Sequence, residues 1–149
     1  MNTMLHLIVT LGDKFLDFLS QDPVRPHIPA EKRVGDNKDI FVLRSAEDEA
    51  RAITCVSYQN SVPESESELF TGTGEPDTAV FYTIWSYKPG AGKELLISAV
   101  AHIKATRPTI KRFVTLSPKT EMAKRFHSKN GAITFRENTE TTNYEYLGP

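Results

Sequence analysis

The chain has 149 residues, 39% hydrophobic and 25% charged, which is the size and composition of one ordinary water-soluble domain with room for a core. A single cysteine, Cys55, excludes an internal disulfide framework and any multi-cysteine metal site, so a reducing cytoplasm is the expected compartment. The net charge of −1 conceals an asymmetry: residues 1–75 hold 7 Lys+Arg against 13 Asp+Glu, and residues 76–149 hold 11 against 6.

The first segment places Leu5, Ile8, Phe15, Leu16 and Leu19 near helical spacing, but Gly12 interrupts it. A strand over 5–11 followed by a short helix is the alternative. The stretch has no basic start and no small-residue cleavage site, so a signal peptide is not expected there. No apolar run approaches the ~20 residues of a membrane span. "QDPVRPHIPAEKRVGDNKD" carries three prolines and reads as an irregular connection. "DIFVLR" and "ARAITCVSYQ" form an expected antiparallel hairpin through the acidic turn "SAEDE". Residues 60–77, rich in Ser, Glu, Gly and Pro, are a loop. "TAVFYTIWSY" is a central strand, with Tyr82 and Trp85 in the core or beside a groove. Cys55 is expected to be a buried strand residue.

The glycine turn "PGAG" then leads into "KELLISAVAHIKAT", a helix with Leu95, Leu96, Ala99, Val100 and Ile103 on one face and His102 toward solvent. "IKRFVTL" is a strand. A second helix is expected from Pro118 to about Lys129, with Ser117 as its N-cap and Asn130-Gly131 as its stop. "AITFREN" and "TNYEYL" close the chain as a hairpin. The fold class is α+β, a mixed and mostly antiparallel sheet flanked by helices, in one domain over 1–149. Residues 1–39 form its helical or irregular part and 77–149 its core.

Three features bear on chemistry. At the glycine turn, the N–H groups of Gly90, Ala91, Gly92 and Lys93 at a helix start form an anion site, with Lys88 and Lys93 adding charge. The triphosphatase phosphate loop fails here, because Tyr87 and Glu94 stand where Gly and Ser/Thr are needed. The dinucleotide fingerprint fails at Leu95. Second, Lys88 to Arg136 counts 11 basic residues against Glu94 and Glu121, which suits nucleic acid, a small polyanion or a solvated face. Aromatic interleaving of the kind that favours nucleic acid is lacking. Third, Ser117 and His127 share "TLSPKTEMAKRFHSKNGA". With Ser117 as helix cap, ~15 Å of helical rise would separate them, too far for a direct dyad. No histidine pair has metal-ligand spacing, so no metal is expected.

The glycine spacing before a Leu-Leu helix resembles the pyrophosphate loop of GNAT-type acetyltransferases, although Tyr87 stands where that family has Gln or Arg. Ala123, His127 and Gly131 fall where that family has Ala, Tyr and Gly, so the resemblance puts His127 at a general-acid position. "AVFYTI", "TLSP", "FH", "NGA" and "NYEY" resemble the GNAT-fold catalytic domain of malonyl-CoA decarboxylases over about residues 79–146. That likeness implies Ser117 and His127 as counterparts of its catalytic serine and histidine. It departs in two ways: only nine residues separate the two here, and there is no room for that family's N-terminal helical domain. Together the resemblances imply a GNAT-like fold, acyl-coenzyme A as cosubstrate held by Lys88, Gly90, Ala91, Gly92 and Lys93, and acyl transfer to an amine. Thioester decarboxylation or a non-catalytic binding module are the alternatives. No membrane partner is implied, and a homodimer is allowed.

Overall fold

The computed structural model describes residues 2–72 and 74–149. Its elements are β1 (Thr3–Leu7), β2 (Lys38–Ser45), β3 (Ala50–Gln59), β4 (Thr78–Ser86), α1 (Ala91–Thr106), β5 (Arg112–Thr115), β6 (Ser117–Pro118), α2 (Glu121–Lys129), β7 (Ala132–Glu137) and β8 (Thr141–Tyr146). Three short 3-10 turns, Leu16–Gln21, Ala30–Lys32 and Glu66–Glu68, punctuate the connections. The strands form one mixed sheet in the order β1-β2-β3-β4-β5-β8-β6, with β7 on the other edge of β8. Among the described residues only β4 and β5 run parallel, joined by α1, and the other pairs are antiparallel. The expected α+β architecture is present.

The central strands are buried on both faces, which is why they read as continuous apolar runs rather than alternating ones. On one face Phe41, Leu43, Val56, Tyr58, Ala79 and Phe81 pack against Leu95, Leu96, Ala99 and Ile103 of α1. On the other, Ile40, Val42, Ile53, Cys55, Val80 and Leu116 pack against Phe15, Leu19 and Ile28 of the N-terminal connection. The β2–β3 hairpin and the buried Cys55 agree with the sequence reading. The N-terminus resolves to the strand alternative, shortened to Thr3–Leu7, with only a 3-10 turn where a helix was expected. His102 is half-buried rather than solvent-facing, its ring edge-on to Phe41 with centroids 5.6 Å apart.

The second helix corrects the expectation for Ser117. Ser117 and Pro118 pair with Thr142 and Thr141 of β8, so their backbones belong to the sheet. α2 begins at Glu121, and its N-cap is Thr120, whose Oγ1 accepts from the Ala123 N–H at 3.1 Å. A Ser-Pro pair suits a strand end as well as a cap. Pairing with β8 takes the backbone first, and Thr120 supplies the same hydroxyl three residues later.

The parallel contact of β4 with β5 is short. It runs from Thr78–Phe81 against Arg112–Thr115, and the Leu116 N–H to Phe81 carbonyl bond at 3.1 Å closes it. Beyond that point the strands part, and a groove opens between them.

Candidate functional site

The groove has a volume of about 720 Å³ and is lined by residues from every element around the divergence. One wall is β4, from Phe81 to Ser86; another is Leu116 to Pro118 with Met122, Ala123, Phe126 and His127 of α2. Gln21, Pro23 and Val24 of the N-terminal connection line it as well, so the site reaches outside residues 77–149. Among the described residues, no lining side chain is a carboxylate.

The glycine turn lies at the α1 end. Gly90 is the N-cap of α1 in the left-handed region (φ 79°), a conformation that costs other residues ~1–2 kcal/mol. Of the four donors expected to converge there, Ala91 N–H is taken by the Lys88 carbonyl at 3.2 Å. The N–H groups of Gly92 and Lys93 are in the first turn, where a helix leaves its donors unpaired. Lys88 and Lys93 are exposed beside them. Gly92 has a second reason to be glycine: a Cβ there would lie 3.0 Å from Phe126 Cε1. This close approach lets α2 seat its phenyl ring against the start of α1.

His127 and Ser117 line the other end. His127 is 4% exposed. Its ring stacks on Tyr144 (centroids 5.1 Å, 28° between planes) and meets the Phe126 and Tyr146 rings edge-on. Its Nδ1 is 2.7 Å from the Tyr146 hydroxyl. With Nδ1 engaged by the Tyr146 hydroxyl, Nε2 is the ring nitrogen left for a ligand in the groove that His127 lines. Burial lowers the pKa of His127 from 6.5 to about 4, so the imidazole is neutral at pH 7. Burial likewise raises Tyr146, keeping its hydroxyl protonated.

Ser117 is buried, and its Oγ donates to Thr115 Oγ1 at 2.8 Å; that oxygen also accepts from the Tyr144 N–H at 3.1 Å. No hydrogen bond joins Ser117 to His127. Both line the groove, because the late start of α2 lets the chain fold back over β8. Ser117 lies opposite Thr142 and His127 over Tyr144, two residues further along β8, or about 7 Å in strand rise.

Tyr144 and Tyr146 stand in the quoted "NYEY", which by itself assigns them no role. Their alternation in "TNYEYL" puts both on one face of a strand, but nothing local says that this face meets α2. Cys55 is fully buried, its thiol pushed up to about 11 by burial, and has no exposure for nucleophilic work.

No protein-family model matches the sequence, and no curated protein matches it at the sequence level. Solved structures do match by shape. A malonyl-CoA decarboxylase from Rhodopseudomonas palustris superposes with TM-score 0.76 at 18% identity over 98% of this chain and 60% of its own. The Bacillus subtilis acetyltransferase in complex with CoA gives 0.64 at 12% identity, over 97% and 98%. The GNAT domain of S. lividans PAT gives 0.65 at 14%, over 95% and 88%. Against three malonyl-CoA decarboxylases the chain spans only 33 to 60% of their length. A mixed sheet whose central parallel pair splays around a helix start and a second helix, matched end to end by such structures, is the GNAT fold.

Proposed function

We propose that the groove binds an acyl-coenzyme A, with its diphosphate at the start of α1 beside Lys88 and Lys93 and its thioester beside His127 and Ser117. The solved acetyltransferase with CoA shares this fold over nearly its whole length, which supports the ligand class. The basic excess from Lys88 to Arg136 then meets the phosphates of that ligand.

The reaction the geometry supports best is decarboxylation of a malonyl-type thioester. The observation that carries it is His127, buried and stacked on Tyr144, in a groove wall without a carboxylate among its described lining residues. An amine acceptor arrives as an ammonium and must lose a proton to a base. An imidazole with a pKa of about 4 is a poor base for that, and it is equally poor as an imidazolium acid at pH 7. Decarboxylation asks for neither. The C–C bond to the carboxylate breaks, carbon dioxide leaves, and the electron pair becomes an enolate on the thioester. A Tyr146 hydroxyl that donates to Nδ1 leaves Nε2–H as a donor for the enolate oxygen. Backbone donors of β4 assist. The α-carbon then takes a proton from Ser117 once its Oγ–H turns from Thr115 Oγ1 toward the groove, and water reprotonates the resulting alkoxide. Apolar walls favour loss of the carboxylate charge.

Acyl transfer to an amine, with His127 protonating the thiolate, is the second reading. It is favoured by the acetyltransferase likeness over whole chains. One assay separates them. Wild type and His127→Ala are incubated with malonyl-CoA and with acetyl-CoA plus amines, while CoA binding is read by thermal shift for wild type and Lys93→Glu. Carbon dioxide from malonyl-CoA that disappears in His127→Ala supports decarboxylation; amine-dependent release of free thiol supports transfer. Stabilisation without turnover leaves a binding module, and no stabilisation by any CoA compound ends the ligand reading.

A further inference from the structure

Side chains of β4 alternate between the two faces of the sheet, and the alternation slips once. Ala79 and Phe81 face α1, and Val80 and Tyr82 face the other layer; Ile84 then returns to α1 and Trp85 to the opposite side. The step from Phe81 to Ile84 is three positions, where strict alternation would give two. The slip coincides with the register shift in the β3 pairing, where Cys55 opposes Thr83 and Val56 opposes Phe81. A bulge disrupts the ladder locally, and a buried carbonyl left over needs a partner.

Here side chains supply both partners. Arg25 Nη1 donates to the Tyr82 carbonyl, and Thr54 Oγ1 donates to the Thr83 carbonyl at 2.8 Å. The Thr83 hydroxyl donates to Asp22 Oδ1 at 2.8 Å. That oxygen also accepts the N–H groups of Val24 and Arg25 at 2.8 and 2.9 Å. Arg33, 0% exposed, closes the cluster: Nη1 reaches Asp22 Oδ2 at 2.9 Å and Nη2 reaches the Arg25 carbonyl at 2.6 Å. Glu66 Oε1 lies 3.1 Å from Arg25 Nε. Buried ion pairs are weak sources of net stability, so this investment of charge makes sense as a geometric device. It grips the two residues at the slip, and the same segment lines the groove through Gln21, Pro23 and Val24.

We propose that Arg25, Asp22 and Thr54 are positioning residues that set the direction of the β4 peptide groups facing an acyl thioester. In a trans peptide the N–H points opposite to the carbonyl. Holding the Tyr82 and Thr83 carbonyls therefore fixes the N–H groups of Thr83 and Ile84. The assignment rests on the acyl-thioester reading of the groove and adds what holds its backbone donors in place.

The test compares wild type with Arg25→Met, Arg25→Lys and Thr54→Val. Amide hydrogen exchange is followed by NMR, with affinity for CoA and steady-state turnover of malonyl-CoA. Thr54→Val, nearly isosteric, keeps the test open if Arg25→Met does not fold. Expected are roughly tenfold faster exchange at Thr83 and Ile84 with protection in β2 and α1 intact, and unchanged CoA affinity. At nearly constant KM, kcat falls by about 10²-fold, with partial recovery in Arg25→Lys. Unchanged exchange at residues 82–84 in the folded variants overturns the proposal. So does faster exchange with unaltered kcat, or a loss of CoA affinity that accounts for the whole defect. A wild type that turns over no acyl-CoA sinks the substrate reading by itself, while the exchange data still judge the grip on β4.

Discussion

The Tyr146 hydroxyl and His127 Nδ1 lie 2.7 Å apart, so a strand residue sets which nitrogen of a helix residue faces the groove. Tyr146→Phe removes that hydroxyl and keeps the ring. The expected outcome is intact CoA binding with turnover reduced about 10-fold or more, the lower end of what a positioned proton donor or acceptor contributes. His127→Ala reduces it further. Equal turnover in Tyr146→Phe and wild type would show that the hydrogen bond does not orient the imidazole.

The same histidine gives a signed pH effect. Its folded pKa, about 4, lies below its unfolded value of 6.5, so the unfolded chain binds the extra proton between those values. This contribution to stability is complete above pH 6.5 and is lost as pH falls toward 4, amounting to about 3 kcal/mol. Denaturant midpoints at pH 7 and pH 4.5 for wild type and His127→Gln check it: the wild type loses more stability than the variant. Turnover, which uses the neutral ring, is not expected to show a titration near pH 6.5 from this residue.

Capping separates Thr120 from Ser117. Thr120→Ala removes the acceptor for the Ala123 N–H and should destabilise by ~1 kcal/mol. Ser117→Ala leaves α2 capped, so its effect should fall on turnover rather than on helix stability. Thermal unfolding and turnover of the two variants decide it. A large stability loss in Ser117→Ala with unaltered turnover per folded molecule would remove the serine from the chemistry.

At the other end of the groove, Gly90 and Gly92 fail for different reasons. Gly90→Ala meets open space but must adopt φ 79°, at ~1–2 kcal/mol. Gly92→Ala has ordinary helical geometry and pushes on Phe126 at 3.0 Å. Melting temperature should therefore drop in the first variant. In the second, restoration by Phe126→Leu would identify the phenyl contact as the cause. Lys93→Glu, which disturbs neither contact, is the clean probe of phosphate affinity and should weaken CoA binding.

Asp22 accepts from Thr83, two backbone amides and Arg33. Asp22→Asn leaves the Arg33 charge buried without its counter-ion and should cost ~3–5 kcal/mol. Chemical denaturation measures it, and a loss below about 1 kcal/mol would mean that Arg33 is served by its carbonyl partners alone.

Much of the scaffold was legible because its strands and α1 are locally consistent. The β2–β3 hairpin, β4, the glycine turn and the Leu95–Ile103 stripe need no distant information. The second helix start was not legible. "SPKT" offers two hydroxyls that could cap, and the choice is made by β8, which claims Ser117 from 25 residues downstream in the pairing with Thr142. The groove was half legible: Ser117, His127 and the glycine turn stood out, while Tyr146 and the Asp22 cluster did not. Asp22-Pro-Val-Arg25 shows a local Asx-type turn, but its decisive partner, Thr83, is 61 residues away.

The position of β8 carries a consequence for biosynthesis. Residues 141–146 supply the ring under His127, the hydroxyl on its Nδ1 and the pairing that takes Ser117 out of the helix. Because β8 comes after every other strand, a nascent chain can assemble β1 to β5 and α1 before His127 has its environment. Until β8 docks, the ring under His127 and the hydroxyl on its Nδ1 are missing, so this end of the groove takes its shape only when β8 pairs.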